Sequence, residues 1–320
     1  MGTRQPVTEI TLGEEVVDFF LVKDKQIRQK KSGDTFLSLE LSDNTGMISA
    51  KIWDDADNYN SVFEKGDIVK VQAAVSSYQG KNELHIKRLR QANADDGVAS
   101  EDFYPVTPYD ISEMFENLRG ILDSIEDETV QRIIHAFFED QDFTESFCRS
   151  VAARNLHHPY VGGLLEHTLS VVKICAFLAD HYNSIDRDIL LAGAFIHDIG
   201  KISELNSGPE LDYSRQGSLK GHMILGLEIL NRMLEKTGDA ETETGLLLQH
   251  MILSHQGEHE WGAPVLPMTV EAILLHFADN MDAKKYIATS SISADKQDSD
   301  FTPKVFSLGR RLYKGDDDHE

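Results

Sequence analysis

The hydrophobic period changes once along these 320 residues, and that change divides the chain into a part that must form sheet and a part that must form helices. From Glu15 to Leu89 apolar side chains recur at every second position and β-formers dominate, the pattern of half-buried strands. Val17-Phe19-Leu21, Phe36-Ser38-Glu40 with its alternate face Leu37-Leu39-Leu41, Ile48-Ala50-Ile52, Ile68-Val69-Val71-Ala73-Val75 and Leu84-Ile86 predict five strands. Turn-forming runs separate them at Lys31-Ser32-Gly33-Asp34, Asp43-Asn44-Thr45-Gly46 and Gln79-Gly80-Lys81-Asn82, where Gly, Asn and Asp tolerate backbone angles that strands exclude. Residues 54–65 predict a short helical or irregular connection after the third strand.

Beyond Pro108 the apolar spacing becomes helical and stays so. Helices are expected near residues 110–124, 127–139, 142–153, 160–183, 186–199, 217–236, 241–255 and 268–288. Residues 91–102 are polar and without period, the composition of a linker. The expected architecture is therefore multidomain, α and β. Residues 1–92 form a five-stranded Greek-key β-barrel of the OB type, residues 93–108 a linker, residues 109–290 an all-α bundle, and residues 291–320 a polar tail. The run GDTFLSLELSDNTGMISAKIW resembles the nucleic-acid-binding OB domains.

The net charge of −23 argues against a surface that grips nucleic acid by bulk electrostatics. Its distribution changes that argument: residues 1–92 carry 13 Lys+Arg against 14 Asp+Glu, and the rest carry 18 against 40. An acidic body needs metal ions or a local basic patch to hold a polyanion, and the near-neutral N-terminal part can supply the patch. The longest apolar run, Ile189 to Ile196, is too short to span a bilayer, and no signal-peptide pattern is present. The expectation is a soluble, cytoplasmic protein without a membrane partner, for which assembly into a homo-oligomer stays open. Cys148 and Cys175 lie in patterns of buried helix faces, which provides neither a disulfide framework nor a thiolate metal site.

Ten of the 13 histidines fall between His157 and His276. A helical core needs Leu and Ala, whereas neutral imidazole is the commonest metal ligand. The densest element is His197-Asp198-Ile199-Gly200-Lys201, closing the apolar helix 189–196. Neighbouring positions about 100° apart on a helix end can aim an imidazole and a carboxylate into one cleft, and a carboxylate has an oxygen for each of two cations. His167 follows Gly162-Gly163-Leu164-Leu165-Glu166, and downstream stand Gly221-His222, Ser254-His255-Gln256-Gly257 and His276-Phe277-Ala278-Asp279.

The order H, HD, H, H, D resembles the HD metal-dependent phosphohydrolases. Position by position, this resemblance implies that His167, His197, Asp198 and Asp279 hold a first metal. Asp198 bridges to a second that His222 and His255 complete. Two divalent ions of this kind suit in-line phosphoryl displacement, and imidazole with carboxylate suits Mn²⁺ or Fe²⁺ better than Ca²⁺. Lys201, one turn past His197, can neutralise charge on a phosphate oxygen, with Asp198 the second residue expected to act in catalysis. Gln256 departs from the family pattern, standing where a second histidine of a His-His-Gly segment is expected.

Together, the barrel and HHPYVGGLLEHTLSV, LLAGAFIHDIGKISEL and PMTVEAILLHFADNMDAK resemble the YhaM-type 3′-5′ exoribonucleases. The resemblance implies metal-dependent removal of nucleotides from the 3′ end of single-stranded RNA, and of single-stranded DNA, as nucleoside 5′-monophosphates. In the barrel half, Phe36, Trp53, Tyr78, Lys51, Lys81 and Arg88 are candidates for stacking and charge contacts with a strand, although Phe36 and Trp53 would equally suit a barrel interior. His157 and His158, before Pro159, are candidates for substrate phosphate or for a helix cap. His276 is a candidate to support Asp279 from a neighbouring helical position. Two alternatives stay open: a phosphodiesterase or phosphatase on small nucleotides, and a nucleic-acid-binding protein with a non-catalytic metal site. HDIGK is shared with cyclic-di-GMP phosphodiesterases, but their Gly-Tyr-Pro signature is replaced here by Gly262-Ala263-Pro264.

Overall fold

A computed structural model describes residues 5–30, 33–78, 80–98, 103–153, 158–206 and 212–315. The chain divides into two compact units, the first running to Val106 and the second beginning at Thr107. Strands β1 (Glu15–Gln29), β2 (Thr35–Ser42), β3 (Met47–Ile52), β4 (Ile68–Tyr78) and β5 (Lys81–Gln91) close a barrel in the order β1-β2-β3-β5-β4. Every pairing is antiparallel except β3 with β5. The parallel pairing requires a crossover, which β4 and the short helix α1 (Ala56–Asn60) supply. Leu37, Leu39, Leu41, Ile48, Ala50 and Ile52 all point into the barrel, as their alternation demands. In β1 the inward set is Val16 and Phe20, leaving Val17 60% exposed, and a bulge between Val22 and Asp24 resets the register. Phe103 and Tyr104 are buried as well, in the stretch read as linker.

The second unit is helical. Helices α2 (Ile111–Leu122), α3 (Glu128–Phe138), α4 (Gln141–Arg149), α5 (Gly163–His181) and α6 (Arg187–Ile196) are followed by the single turn α7 (Lys201–Glu204). Helices α8 (Arg215–Thr237), α9 (Glu243–Ser254) and α10 (Val270–Ala294) complete it. Asp110, Asp127, Asp140 and Asp186 cap α2, α3, α4 and α6 by accepting backbone N–H bonds. Part of this unit's acidity is thus consumed at helix N-termini, where the orphan N–H groups and the helix dipole favour it. Every residue of α6 from Ile189 to Ile196 is buried, because α5, α9, α10 and α3 all pack around it. Phe195 meets Phe137, Phe138, Phe143 and Phe147 there.

The sequence predicts one unbroken helix over residues 217–236, and the structure departs from it. Gly221 breaks α8 with φ 73° and ψ 160°, a conformation that residues with a Cβ avoid, immediately before His222. Beyond α10 the chain turns back on itself, bridging Phe301 to Tyr313 and Val305 to Arg310 and burying Thr302. Cys175 is buried and Cys148 only half-buried, both as free thiols. Among the described residues no helix is long and apolar enough to cross a membrane.

Candidate functional sites

Six side chains from five separate places in the chain converge in the helical unit. His197 and His255 stand at the C-terminal ends of α6 and α9 and are held by the same device. The Nδ1 of His197 lies 2.8 Å from the Ala194 carbonyl oxygen, and that of His255 lies 2.7 Å from that of Ile252. These are carbonyls that a helix end leaves without a partner. A carbonyl only accepts, so each Nδ1 donates, and in the neutral ring Nε2 presents its lone pair. His167, on α5, places Nδ1 2.8 Å from Asp282 Oδ2. His222 places Nδ1 3.2 Å from Glu204 Oε1, which also accepts the His222 backbone N–H at 2.9 Å.

The four Nε2 atoms then face one another in pairs, His167 to His197 at 3.3 Å and His222 to His255 at 3.4 Å. Asp198 lies between the pairs. Its Oδ2 is 3.3 Å from His197 Nε2 and 3.6 Å from His167 Nε2; its Oδ1 is 3.6 Å from both His222 Nε2 and His255 Nε2. Asp279, on α10, brings Oδ1 to 3.2 Å from His167 Nε2. Two triads result, His167-His197-Asp279 and Asp198-His222-His255, each with its donor atoms within 4.8 Å of one another. Facing lone pairs repel unless a proton or a cation lies between them, and the buried Asp198 Oδ1 accepts no hydrogen bond. Such an orphaned oxygen is costly, and a divalent cation beside it would satisfy it. The donor set fits a pair of divalent ions.

Electrostatics agree. Burial opposes ionisation of Asp198, but Lys201 and His197 outweigh it and hold the carboxyl well below its ordinary range. Asp279 is likewise depressed, burial being overcome by its bond to His167. Burial drives His255 down to about 3, so it stays neutral. In His167 burial is outweighed by hydrogen bonds to Asp279 and Asp282, which raise its pKa to about 9. In the metal-free protein His167 is therefore protonated at neutral pH, and a cation arriving at Nε2 must expel that proton. We expect about one proton released at pH 7, read by calorimetry in buffers of different ionisation enthalpy. Affinity should rise roughly tenfold per pH unit until about pH 9 and then level off; a flat profile from pH 7 to 9 would contradict this.

The sequence pattern does not single out the residues that support these ligands. Asp282 accepts from Ser170 Oγ at 2.5 Å as well as binding His167, and Glu204 steers His222. The available signal was Asp282 standing one turn after Asp279 on the same helix. His158, a candidate for substrate contact, is buried. Its ring packs on Tyr286 at 4.2 Å and reaches Tyr160 Oη at 2.5 Å, with Asp282 Oδ2 at 3.7 Å. It stands behind His167, where a further grouping of His158, His167 and Asp282 is already closed by the His167–Asp282 hydrogen bond. His157 lies outside the described residues. His276 donates from or accepts at Nδ1, 2.9 Å from the His255 carbonyl oxygen; a carbonyl requires the former, so it tethers α10 to the end of α9. Gln256 places Nε2 3.3 Å from His255 Nε2. Lys201 Nζ lies 2.6 Å from Asp198 Oδ2.

On the barrel, Leu37 pairs with Ile52, which brings Phe36 beside Trp53. The two rings stack at 4.7 Å and 25°, half-buried on the outer wall and not in the interior. His85 meets Trp53 edge-on at 6.0 Å. Lys51 Nζ lies 5.4 Å from the Trp53 ring and 4.5 Å from Tyr78, and Lys30 Nζ lies 5.7 Å from Trp53. Lys81 and Arg88 are exposed on β5, Lys81 opposite Tyr78 and Arg88 opposite Gln72.

An HD domain model matches residues 164–284, and a model of the OB-fold nucleic acid binding domain matches residues 22–92. The 3′-5′ exoribonuclease YhaM of Bacillus velezensis is 34% identical over 302 residues, covering 94% of this chain and 95% of that protein. That of Bacillus subtilis is 33% identical over the same shares. This chain belongs to the YhaM family. A YhaM protein of Listeria monocytogenes is 32% identical over 305 residues, 95% of this chain and 96% of its own length. Among solved structures, the barrel is similar to the second OB-fold domain of replication protein A from Methanococcus maripaludis, 21% identical, covering 28% of this chain and 96% of that one, with a TM-score of 0.24. YhaM membership and the HD ligand arrangement together make the chain a metal-dependent phosphohydrolase.

Proposed function

We propose that this chain is a cytoplasmic 3′-5′ exoribonuclease that also accepts single-stranded DNA and releases nucleoside 5′-monophosphates. The observation that carries the reading is Asp198, offering one oxygen to each of two histidine pairs in a chain similar along nearly its whole length to the YhaM exoribonucleases. His167, His197 and Asp279 would hold one divalent ion, His222 and His255 the other, and Asp198 both. Imidazole and carboxylate donors suit Mn²⁺, with Fe²⁺ next. When bound, the ions supply Lewis acidity toward the phosphoryl oxygens and activate water for attack at phosphorus. Lys201, within the site, brings its ammonium to a non-bridging phosphate oxygen. The tethers on each Nδ1 keep the imidazoles from turning, so the ligand geometry is set before substrate arrives. Phe36 and Trp53 would stack bases of the incoming strand while Lys51 and Lys30 lie against its backbone.

The test is a time course on a 5′-labelled single-stranded RNA with Mn²⁺, resolved by length. A ladder shortening one nucleotide at a time from the 3′ end, abolished by chelation, is expected. Intact RNA after prolonged incubation with saturating Mn²⁺ would overturn the proposal.

A further inference from the structure

The loop between α9 and α10 begins just after His255 and carries an indole that the helical unit leaves half open: Trp261 is 51% exposed. Its ring lies beside two side chains of α10. His276 lies 5.7 Å from it and is itself bonded to the His255 carbonyl oxygen at 2.9 Å, so the indole stands one side chain away from the backbone of a candidate metal ligand. Below it, the 3-10 turn His259–Trp261 is closed by His259 Nδ1 on the Ala263 carbonyl oxygen at 2.9 Å. Lys284, one turn beyond Asp279 and Asn280 on α10, brings Nζ to 5.5 Å from the ring centroid. An exposed aromatic beside a cation is a poor arrangement for stability alone, since the ring keeps much of its apolar surface in water. It is the arrangement that binds single-stranded nucleic acid, because every base has a π-face and the adjoining phosphate needs a cation.

We infer that Trp261 is a stacking platform for a nucleobase of the strand held at the metal centre, with Lys284 facing a neighbouring phosphate. The inference rests on the exoribonuclease reading and adds to it how the catalytic unit grips its substrate. An enzyme that removes whichever nucleotide comes next has to hold a base without reading its edge. Stacking does this, whereas hydrogen bonds to a base edge would favour one base.

The chain has two tryptophans, so Trp53→Phe leaves Trp261 as the only indole and makes its emission assignable. Mn²⁺-loaded Trp53→Phe protein titrated with a single-stranded RNA whose 3′-terminal linkages are non-hydrolysable should show saturable quenching that tracks binding measured by anisotropy of a labelled strand. In the full wild-type chain with Mn²⁺, Trp261→Leu should lower kcat/KM by roughly 5- to 150-fold, and Trp261→Phe should restore most of it while melting and metal binding stay unchanged. Saturated strand binding with no change in Trp261 emission, or Trp261→Leu as active as the wild type, overturns the inference. If the parent enzyme shortens no RNA, the exoribonuclease reading fails by itself, and quenching by the bound strand would still support the platform.

Discussion

Asp198→Ala is expected to lower nucleotide release by about 10³-fold or more, because it removes the one group that touches both halves of the site. The carboxylate is 2% exposed and lies within 3.6 Å of four imidazole Nε2 atoms. It is also the partner of the buried Lys201 ammonium at 2.6 Å. Deleting one member of a buried ion pair costs about 3–5 kcal/mol by stranding the other, so the alanine variant should also be less stable in denaturant. Asp198→Asn separates the two effects. It preserves shape and an acceptor for Lys201 yet removes the charge, so it should be less destabilised than the alanine variant and still bind metal poorly and turn over slowly. Single-turnover cleavage, calorimetric metal titration and urea unfolding of both variants decide the matter. Asp198→Asn that binds two ions and keeps a tenth of the wild-type rate would defeat the bridging role.

Gly200→Ala should be the most damaging single-methyl change in the helical unit. A Cβ at this position would lie 1.9 Å from the His222 carbonyl oxygen and 2.5 Å from the Gly226 nitrogen, both backbone atoms of α8 that no rotamer change can move. The two segments can separate only if Asp198 and Lys201 on one side move away from His222 on the other. Overpacking of this kind costs about 3 kcal/mol or more, equivalent to a fall in melting temperature of roughly 6–12 °C for a unit of this size. The same displacement should weaken metal binding even where the protein still folds. Thermal unfolding followed by circular dichroism, with and without Mn²⁺, measures both; a melting temperature within 2 °C of wild type would show that the contact is relieved at little cost.

Much of this was readable in the chain. Strict alternation set Leu37, Leu39 and Leu41 on one face and Phe36 on the other, since a pleated strand has only two faces, but it was the closed barrel that turned the leucines inward together with Ile48, Ala50 and Ile52. Alternation failed to identify the inward face of β1, where Val16 and Phe20 are buried in place of Val17, because a strand rich in apolar residues on both faces leaves the choice to its neighbours. The stacking of Phe36 on Trp53 outside the barrel follows from cross-strand register, which a single strand does not display. The break in α8 at Gly221 was missed for a related reason: glycine permits φ 73°, but only the packing of α7 against α8 requires the turn there.

What the amino-acid order supplied is a set of candidate donors, from which the resemblance to the HD phosphohydrolases picks six. Histidines and aspartates at the ends and faces of apolar helices can be read as metal ligands because their chemistry and their places on each helix are local properties. The rings of His197 and His255 are set by carbonyls of their own helix ends, but that Asp282 and Glu204 aim His167 and His222, and that Asp198 divides its oxygens between two pairs, were decided only in the tertiary structure. The contacts that aim His222 and His167 span 18 and 115 positions, and they exist only once the burial of α6 has drawn the surrounding helices together.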